Sequence, residues 1–262
     1  MNQFIDIGAN LTNKGLMQNL DAVIKRANDA GVKQIVVTGT SVEESIKAIQ
    51  LCEQYPDHLV CTAGIHPHHA SDWKPDTAAI LGQLAENVCV RAIGETGLDF
   101  NRNYSPRDAQ IEAFRQQIEL AISMKKPVFA HQRDAHEVFI EILREYRNQL
   151  ANIVVHCFTD SKTALFDYLD LDCHIGITGW ICDERRGTEL AQLLKYIPDN
   201  RLMAETDAPY LLPRDLPDKP KNRLNEPAYL PHIVKSIAHY QNREVELVAA
   251  ECLKTSQLFF NL

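Results

Sequence analysis

The sequence predicts an α/β fold of the TIM-type (β/α)8 class, in the form of a distorted barrel with extra helices near the C-terminus. Eight short apolar runs, typical of buried parallel strands, alternate with helical patterns along a chain of 262 residues, the usual length of one such barrel. Several of these runs end in a histidine or a carboxylate, and in such barrels the active site lies at the C-terminal ends of the strands. We therefore expect a single domain over residues 1–262, with a functional site at these strand ends.

The apolar runs define the predicted strands. They are Phe4–Ile7, Gln34–Thr40, Leu59–Gly64, Val90–Glu95, Val128–His131, Ile153–His156, Ile175–Thr178 and Leu202–Glu205. Capping residues and apolar periodicity predict helices between most of them, one starting after Thr40-Ser41 and another after Ser105-Pro106. A proline-rich stretch follows the last strand, and two more helices are predicted, roughly Ala228–Tyr240 and Glu244–Phe259. An open doubly wound sheet is the rival fold, but residues 8–11 (GANL) are not the glycine-rich phosphate turn that it would carry.

Composition limits the function classes. The net charge of −8 argues against a protein that coats duplex DNA regardless of sequence. Seven cysteines are scattered without a CxxC pair, which indicates reduced thiols rather than a disulfide framework or a zinc ribbon. No segment has the length of a membrane span, and the first residues lead into a strand without a basic and apolar leader. We expect a soluble, cytoplasmic monomer without a membrane partner.

Four strand ends carry metal-binding side chains. Glu95, His131, His156 and Asp207 stand at the ends of the predicted fourth, fifth, sixth and eighth strands. Because the C-terminal ends of barrel strands converge, residues distant in sequence can share one ion. A carboxylate with two imidazoles leaves coordination positions open for water and substrate, as a catalytic metal requires. The sequence therefore predicts a hydrolytic centre with a divalent metal.

Motifs along the whole chain resemble those of the TatD family of metal-dependent hydrolases. They are GIHPHH, GETGLDFNRN, HQRDAHE, VHCF, GITGWICDERRG, ETDAPYLLPRDL and NEPAYLPHI. The resemblance implies a TIM-type barrel and exonucleolytic hydrolysis of single-stranded DNA or RNA from the 3′ end. It implies Mg²⁺ as the usual ion, with Mn²⁺ or Zn²⁺ as alternatives, and a place in DNA repair or nucleic-acid turnover. By position, Glu95, His131 and His156 match the family's metal ligands, and Asp207 matches an aspartate that contacts metal or the nucleophilic water.

The first strand departs from many relatives. These carry a His-x-His pair that supplies a second metal position, whereas this chain has Gly8 and Asn10 at the corresponding places. Without the two imidazoles we expect that position to be weak, completed by substrate oxygens, or empty. A single ion can still orient water and neutralise a phosphate oxygen.

Other polar residues near the strand ends are candidates for catalysis and binding. We expect His66 to contact the scissile phosphate or a leaving oxygen, and His68 in the same turn is a candidate for substrate binding. Glu205, on the same strand face as Asp207, either supports the site from a deeper layer or fills the barrel as a paired carboxylate. Arg133 is a candidate phosphate clamp; its alternative is an ion pair with Asp134 or Asp99.

Two loops have the composition of a single-strand binding surface. Trp180 and Arg185 follow the seventh predicted strand, and Arg214 lies in the proline-rich loop after the eighth. Stacking on an aromatic ring combined with phosphate contacts holds single strands without reading bases. The alternative is that these charged side chains are simply solvated.

Three function classes remain open. The first is a metal-dependent phosphodiesterase acting on single-stranded nucleic acid. The second is an amide or ester hydrolase, such as a deacylase, on the same barrel. The third is a noncatalytic nucleic-acid-binding protein. The basic residues near the predicted site favour the first over the second, and the intact set of Glu95, His131, His156 and Asp207 argues against the third.

Overall fold

The computed structural model describes residues 2–262, in which strands and helices alternate. The strands are β1 (Phe4–Ala9), β2 (Val32–Val37), β3 (Leu59–Ala63), β4 (Val90–Asp99), β5 (Val128–Arg133), β6 (Ile153–Val155), β7 (His174–Ile177) and β8 (Leu202–Ala204). The helices are α1 (Lys14–Met17), α2 (Leu20–Asp29), α3 (Val42–Gln54), α4 (Thr77–Ala85), α5 (Arg107–Met124), α6 (His136–Tyr146), α7 (Lys162–Asp170), α8 (Thr188–Leu193), α9 (Leu230–Gln241) and α10 (Val245–Phe260). The strands form one sheet in the order β1 to β8. The predicted class, a TIM-type (β/α)8 barrel, is confirmed.

The chain divides into two compact units. The first unit contains residues 2–37, 157–159 and 175–262, and the second contains Thr38–His156 and Asp160–His174. The expectation of a single domain over residues 1–262 stays a prediction. No helix within residues 2–262 is both long enough and apolar enough to span a membrane.

The first unit pairs β1 with β2 and β7 with β8, in both cases in parallel. An isolated bridge between Ala9 and Ala208 joins the end of β1 to the segment after β8. The two C-terminal helices predicted from the sequence are present as α9 and α10. Helix α10 packs against β1 and β8 with a face that contains Val248, Phe259 and Phe260.

The second unit pairs β3, β4, β5 and β6 in parallel. Helix α3 begins where the sequence predicts, because Ser41 accepts a hydrogen bond from the backbone N–H of Glu44 at 3.1 Å. In the core, the rings of Phe114 on α5 and Phe139 on α6 stack with centroids 5.0 Å apart. These helices cover the strands that carry the predicted metal ligands.

Each predicted strand differs from the observed one at one end or at both, and two of the differences concern the site. The sequence predicts that β2 reaches Thr40, but the strand ends at Val37. The residues that follow serve the site instead: Gly39 O accepts from Glu95 N at 2.7 Å, and Thr40 O accepts from His66 N at 2.9 Å. The sequence predicts that β4 ends at Glu95, but this strand runs on to Asp99.

Candidate metal centre and active site

The second unit gathers three imidazoles around the carboxylate of Glu95. Its Oε1 atom lies 2.7 Å from His156 Nε2, 3.2 Å from His131 Nδ1 and 3.3 Å from His66 Nε2. Glu95, His66 and His156 are buried, and His131 is partly exposed. Side chains from the ends of the fourth, fifth and sixth predicted strands therefore meet around Glu95 Oε1. They are joined there by a side chain from the turn after the third strand.

Gly97 allows β4 and β5 to approach closely at this cluster. Its Cα pairs with that of His131, its φ is +135°, and a Cβ at this position would collide with the His131 carbonyl oxygen. Both the backbone angle and the close approach require glycine. The second glycine of the GETGLDF motif, Gly97, thus sets the distance between Glu95 and His131.

Two buried amides of α5 fix the backbone on either side of the cluster. Gln117 accepts from Ile65 N at 2.7 Å and donates to Ile65 O at 3.1 Å, which holds the residue before His66. Gln110 accepts from Asp99 N at 2.8 Å and donates to Asp99 O at 3.2 Å. Because the two glutamines are seven residues apart, they share one helix face. Neither was expected from the sequence; two glutamines on the apolar face of a predicted helix are the signal that could have found them.

Electrostatics favour a charged Glu95, and the carboxylates of Asp99 and Glu95 raise the pKa of His131 although burial opposes this shift. Burial alone would raise the pKa of Glu95, but the imidazoles of His66 and His156 and hydrogen bonds from His131 and His156 hold it well below its ordinary value. Burial lowers the pKa of His66 to about 4, although Glu95 opposes this shift. His66 is therefore neutral at neutral pH.

The hydrogen bonds of His66 assign its single ring proton. Its Nδ1 accepts from the backbone N–H of His68 at 3.0 Å, so the proton of the neutral ring must be on Nε2. Nε2 is the atom that faces Glu95. In this arrangement His66 can donate a hydrogen bond from Nε2, whereas a metal ligand would need a free lone pair there.

His131 has the free nitrogen that a metal ligand needs. Its buried Nε2 has no hydrogen-bond partner among residues 2–262, and the nearest carboxylate oxygen, Asp99 Oδ2, is 3.6 Å away. Buried polar atoms are rarely left without a partner, and an absent ion is one of the recognised reasons. Glu95, His131 and His156 together supply the carboxylate and imidazole donors that a divalent cation takes, and it is Nδ1 of His131 that faces Glu95 while Nε2 faces Asp99.

Two ligand triads are compatible with the contacts of the Glu95 carboxylate. Ligand atoms of His66, Glu95 and His131 all lie within 4.8 Å of one another. The predicted triad replaces His66 by His156, whose Nε2 is the nitrogen closest to Glu95 Oε1. Since the Nε2 proton of His66 is fixed by the bond from His68, we favour the predicted triad of Glu95, His131 and His156.

Asp99 is a site residue that the sequence suggested only as an ion-pair partner. Its Oδ2 lies 2.7 Å from His68 Nε2 and 3.6 Å from His131 Nε2; burial alone would raise the pKa of this carboxyl, but the two imidazoles lower it. The signal was available, because Glu95, Gly97 and Asp99 alternate along one strand and share a face. His68 is therefore held in place by Asp99, and its predicted role in substrate binding stays a prediction.

Arg133 ends β5 opposite Asp99, and the two Cα atoms are register partners. Its carbonyl oxygen accepts from Phe100 N at 2.9 Å, which continues the pairing of β4 and β5 by one residue. The proposed phosphate clamp by its guanidinium stays a prediction.

In the first unit, Asp207 is held against the end of β1. Its backbone N–H donates to Gly8 O at 2.8 Å, and its Oδ1 accepts from Asn10 Nδ2 at 3.1 Å. The two positions that depart from the His-x-His pattern are thus both in contact with Asp207. Asn10 satisfies one carboxylate oxygen with an amide N–H, where a histidine pair would have offered ring nitrogens.

Glu205 is fully buried in the first unit, one residue beyond β8. Its Oε1 accepts from the backbone N–H of Cys157 at 2.5 Å, so this carboxylate fixes the residue that follows His156 in the sequence. The predicted supporting role of Glu205 stays a prediction, as does its participation in catalysis.

The predicted single-strand surface is organised around Asp183. Arg186 Nε donates to this carboxylate at 2.8 Å, Arg185 Nε lies 3.5 Å from it, and Arg214 Nε lies 3.8 Å from it. The guanidinium of Arg186 also lies 4.3 Å above the Trp180 ring. Arg185 and Arg214 remain largely exposed. The structure therefore brings Trp180, Arg185 and Arg214 into one loop region of the first unit, and their contact with substrate stays a prediction.

Fold and site together define a hydrolase of the metal-dependent (β/α)8 class. The sequence matches the family described as TatD related DNase over residues 5–261. It is 49% identical to the 3′-5′ ssDNA/RNA exonuclease TatD of Erwinia tasmaniensis, over 98% of this chain and 99% of the relative, and 52% identical to that of Dickeya dadantii, over 92% and 91%. A TatD homologue from Escherichia coli K12 superposes with a TM-score of 0.90 at 25% identity, covering 99% of this chain and 98% of the other. The chain belongs to the TatD family of hydrolases, and the resemblance inferred from its motifs is confirmed.

Proposed function

We propose that this protein is a metal-dependent nuclease that removes nucleotides from the 3′ end of single-stranded DNA and RNA. The observation that carries the proposal is the Glu95 carboxylate inside a shell of imidazoles, with His131 Nε2 left without a partner among residues 2–262. The relatives at about half sequence identity are named as exonucleases of this specificity, which supports the substrate class.

Glu95, His131 and His156 would hold the divalent cation. When bound there, Mg²⁺ would polarise a phosphate oxygen and lower the pKa of a water molecule. Glu95 supplies the negative charge, and its depressed pKa keeps it ionised. Asp99 fixes His68 beside the cluster. Helix α5 fixes the backbone of Asp99 through Gln110 and that of Ile65 through Gln117. This preorganisation is what positioning of a phosphodiester requires.

His66 would act on the scissile phosphate or the leaving oxygen. It is buried and neutral, and its Nε2 proton is directed at the cluster. A neutral imidazole N–H can stabilise negative charge that develops on a phosphate oxygen without first losing a proton to solvent. We propose Asp207 as the residue that orients the attacking water, on the basis of the family resemblance.

No specific observation favours the deacylase or the noncatalytic alternative. A neutral amide substrate would leave Arg133, Arg185 and Arg214 without a function, and a noncatalytic protein would not need the unpaired nitrogen of His131. Mg²⁺ as the resident ion, the monomeric state and the cytoplasmic location are parts of the same proposal that rest on the sequence.

The decisive experiment follows single strands labelled at the 3′ or the 5′ end during incubation with Mg²⁺ or with EDTA. We expect stepwise loss from the 3′ end that EDTA abolishes. Glu95→Ala should reduce the rate by about 10³-fold or more, since it removes the charged metal ligand. Glu141→Ala, an exposed glutamate on α6, is the matched control and should leave the rate unchanged. Degradation that survives EDTA, or that proceeds equally in Glu95→Ala, would refute the proposal.

A further inference from the structure

Three cysteines that are dispersed in the sequence lie together in the second unit. Cys52 is on α3, Cys61 is on β3 and Cys89 directly precedes β4. The sulfur atoms of Cys61 and Cys89 are 3.8 Å apart, and all three sulfur atoms lie within 4.8 Å of one another. Cys52 and Cys61 are buried, whereas Cys89 is partly exposed. The cysteines that are scattered in the sequence therefore include a cluster of three in space.

The backbone holds two of the thiols in register. Cys61 N donates to Cys89 O at 2.9 Å, and Cys89 N donates to Asn87 Oδ1 at 3.1 Å. The third thiol comes from α3, which packs on β3. Each sulfur is thus carried by a segment that is fixed by hydrogen bonds or packing, and such fixed geometry is what a ligand set requires.

The distances match sulfur atoms that share an ion rather than sulfur atoms that share a bond. Two thiolates bound to one tetrahedral Zn²⁺ at about 2.3 Å each are separated by about 3.8 Å. A disulfide would bring the two sulfur atoms to about 2.05 Å. We propose that Cys52, Cys61 and Cys89 bind a thiophilic metal ion, with Zn²⁺ as the expected occupant, at the N-terminal end of β4.

The charges around the cluster suit a bound ion with three thiolates. Three thiolates and one Zn²⁺ carry a net charge of −1, and two cationic side chains, Arg91 and Lys126, interact electrostatically with the Cys89 thiol. Arg91 Nε is buried and has no hydrogen-bond partner among residues 2–262, while Lys126 Nζ donates to Val90 O at 2.6 Å. Hydrogen bonds from Cys52 and Cys61, with a contribution from Arg91, lower the pKa of Cys89 to about 4. Hydrogen bonds within the cluster and burial raise the pKa of Cys52 and Cys61, so Cys89 is the thiolate that an ion would meet first, and binding to the other two sulfur atoms would release their protons.

This site is separate from the imidazole cluster in both position and chemistry. It lies at the start of β4, whereas Glu95 and Asp99 lie in its C-terminal half. All of its donors are sulfur, which selects Zn²⁺ or Cu⁺ over Mg²⁺. A bound ion would tie α3, β3 and the start of β4 together, and the partly exposed Cys89 provides its path of entry.

The test uses the intact, reduced protein and Co²⁺ as a spectroscopic substitute for Zn²⁺. Sulfur-to-cobalt charge transfer reports thiolate coordination alone, so Co²⁺ at the imidazole cluster does not contribute to this band. We expect the band in the wild type and its displacement by Zn²⁺. Cys89→Ser should abolish the band, and Cys252→Ser, which replaces a buried cysteine on α10, should keep it.

A second measurement needs no variant. In the wild type, Zn²⁺ at ten times its dissociation constant should slow alkylation of Cys89 about tenfold, because only the unoccupied fraction reacts. Peptide mass spectrometry reads the label at each cysteine, and Cys252 is the internal control. Absence of the cobalt band in the wild type, or its survival in Cys89→Ser, would overturn the proposal. Oxidation of Cys61 and Cys89 by air to a disulfide, with loss of two hydrogens and at a rate that Zn²⁺ does not slow, would also overturn it. That result would assign the pair to disulfide chemistry.

Discussion

The two ends of β4 carry donor sets of opposite character. At its C-terminal half, Glu95 meets three imidazoles, a set of nitrogen and oxygen donors suited to a catalytic ion. At its start, Cys89 meets two other thiols, a set suited to a soft ion. In (β/α)8 proteins the C-terminal ends of the strands carry the chemistry and the N-terminal ends serve stability. One strand thus presents both donor sets, and changes at one end should leave the other intact.

Gly97→Ala should have the largest effect, because it changes the backbone at the catalytic end of β4. The new Cβ would collide with the His131 carbonyl oxygen at a φ of +135°. We expect a loss of about 3 kcal/mol in the free energy of unfolding. Displacement of His131 should also reduce nuclease activity by about 10²-fold. Denaturant titration and the labelled single-strand assay measure the two effects.

Gly82→Ala is the control for that substitution. Gly82 lies within α4, and a methyl group added there would make only ordinary contact, 3.5 Å from Leu120 Cδ1. Alanine in a helix should raise the free energy of unfolding by roughly 0.5–1 kcal/mol. Equal behaviour of the two variants would show that the β4–β5 approach does not depend on Gly97.

His66→Ala should lower the rate of the reaction at the catalytic end of β4 without unfolding the protein. We expect a decrease in kcat of about 10²-fold, since it removes one positioned hydrogen-bond donor. His69→Ala, in the same turn but half-exposed, should retain full activity. Single-turnover rates with Mg²⁺ separate the two variants. If His66→Ala instead lost metal affinity with an unchanged saturated rate, His66 would be a ligand and the triad of His66, Glu95 and His131 would be the correct one.

The sequence predicts the catalytic end of β4 much better than the N-terminal end. Glu95, His131 and His156 stand at strand ends, and their convergence follows from the geometry of parallel strands. The fold class, the capped start of α3 and the two last helices follow from periodicity and capping in the same way. These features depend on local patterns that a single sequence displays.

Features that depend on tertiary contacts were missed. The extension of β4 to Asp99 rests on the pairing of Gly97 with His131, which no local pattern shows. The thiol cluster joins a helix, a strand and a loop whose spacing in the sequence follows no ligand motif. The pairing of His68 with Asp99 likewise requires the register of β4 relative to the turn after β3.

Gln117→Met tests whether α5 positions His66 through the backbone of Ile65. The substitution keeps the volume but leaves Ile65 N and O without their partners. Unsatisfied buried groups should lower the free energy of unfolding by about 1–3 kcal/mol. The freed turn should also lower kcat, because His66 follows Ile65. Gln116→Met, whose amide donates to Glu112 on the helix surface, should change neither. A stability loss without any change in kcat would limit Gln117 to a structural role.

Lys126→Met tests the N-terminal end of β4, and its effect should be the smallest. The substitution removes the hydrogen bond from Nζ to Val90 O, but it also relieves a partly buried charge whose pKa is lowered by burial and by Arg91. These contributions oppose each other, so we expect the free energy of unfolding to change by only about 1 kcal/mol. Nuclease activity should equal that of the wild type and of Lys254→Met, an exposed lysine on α10. A large loss of activity in Lys126→Met alone would mean that the two ends of β4 are coupled, because a change beside the thiols would then reach Glu95 along the strand.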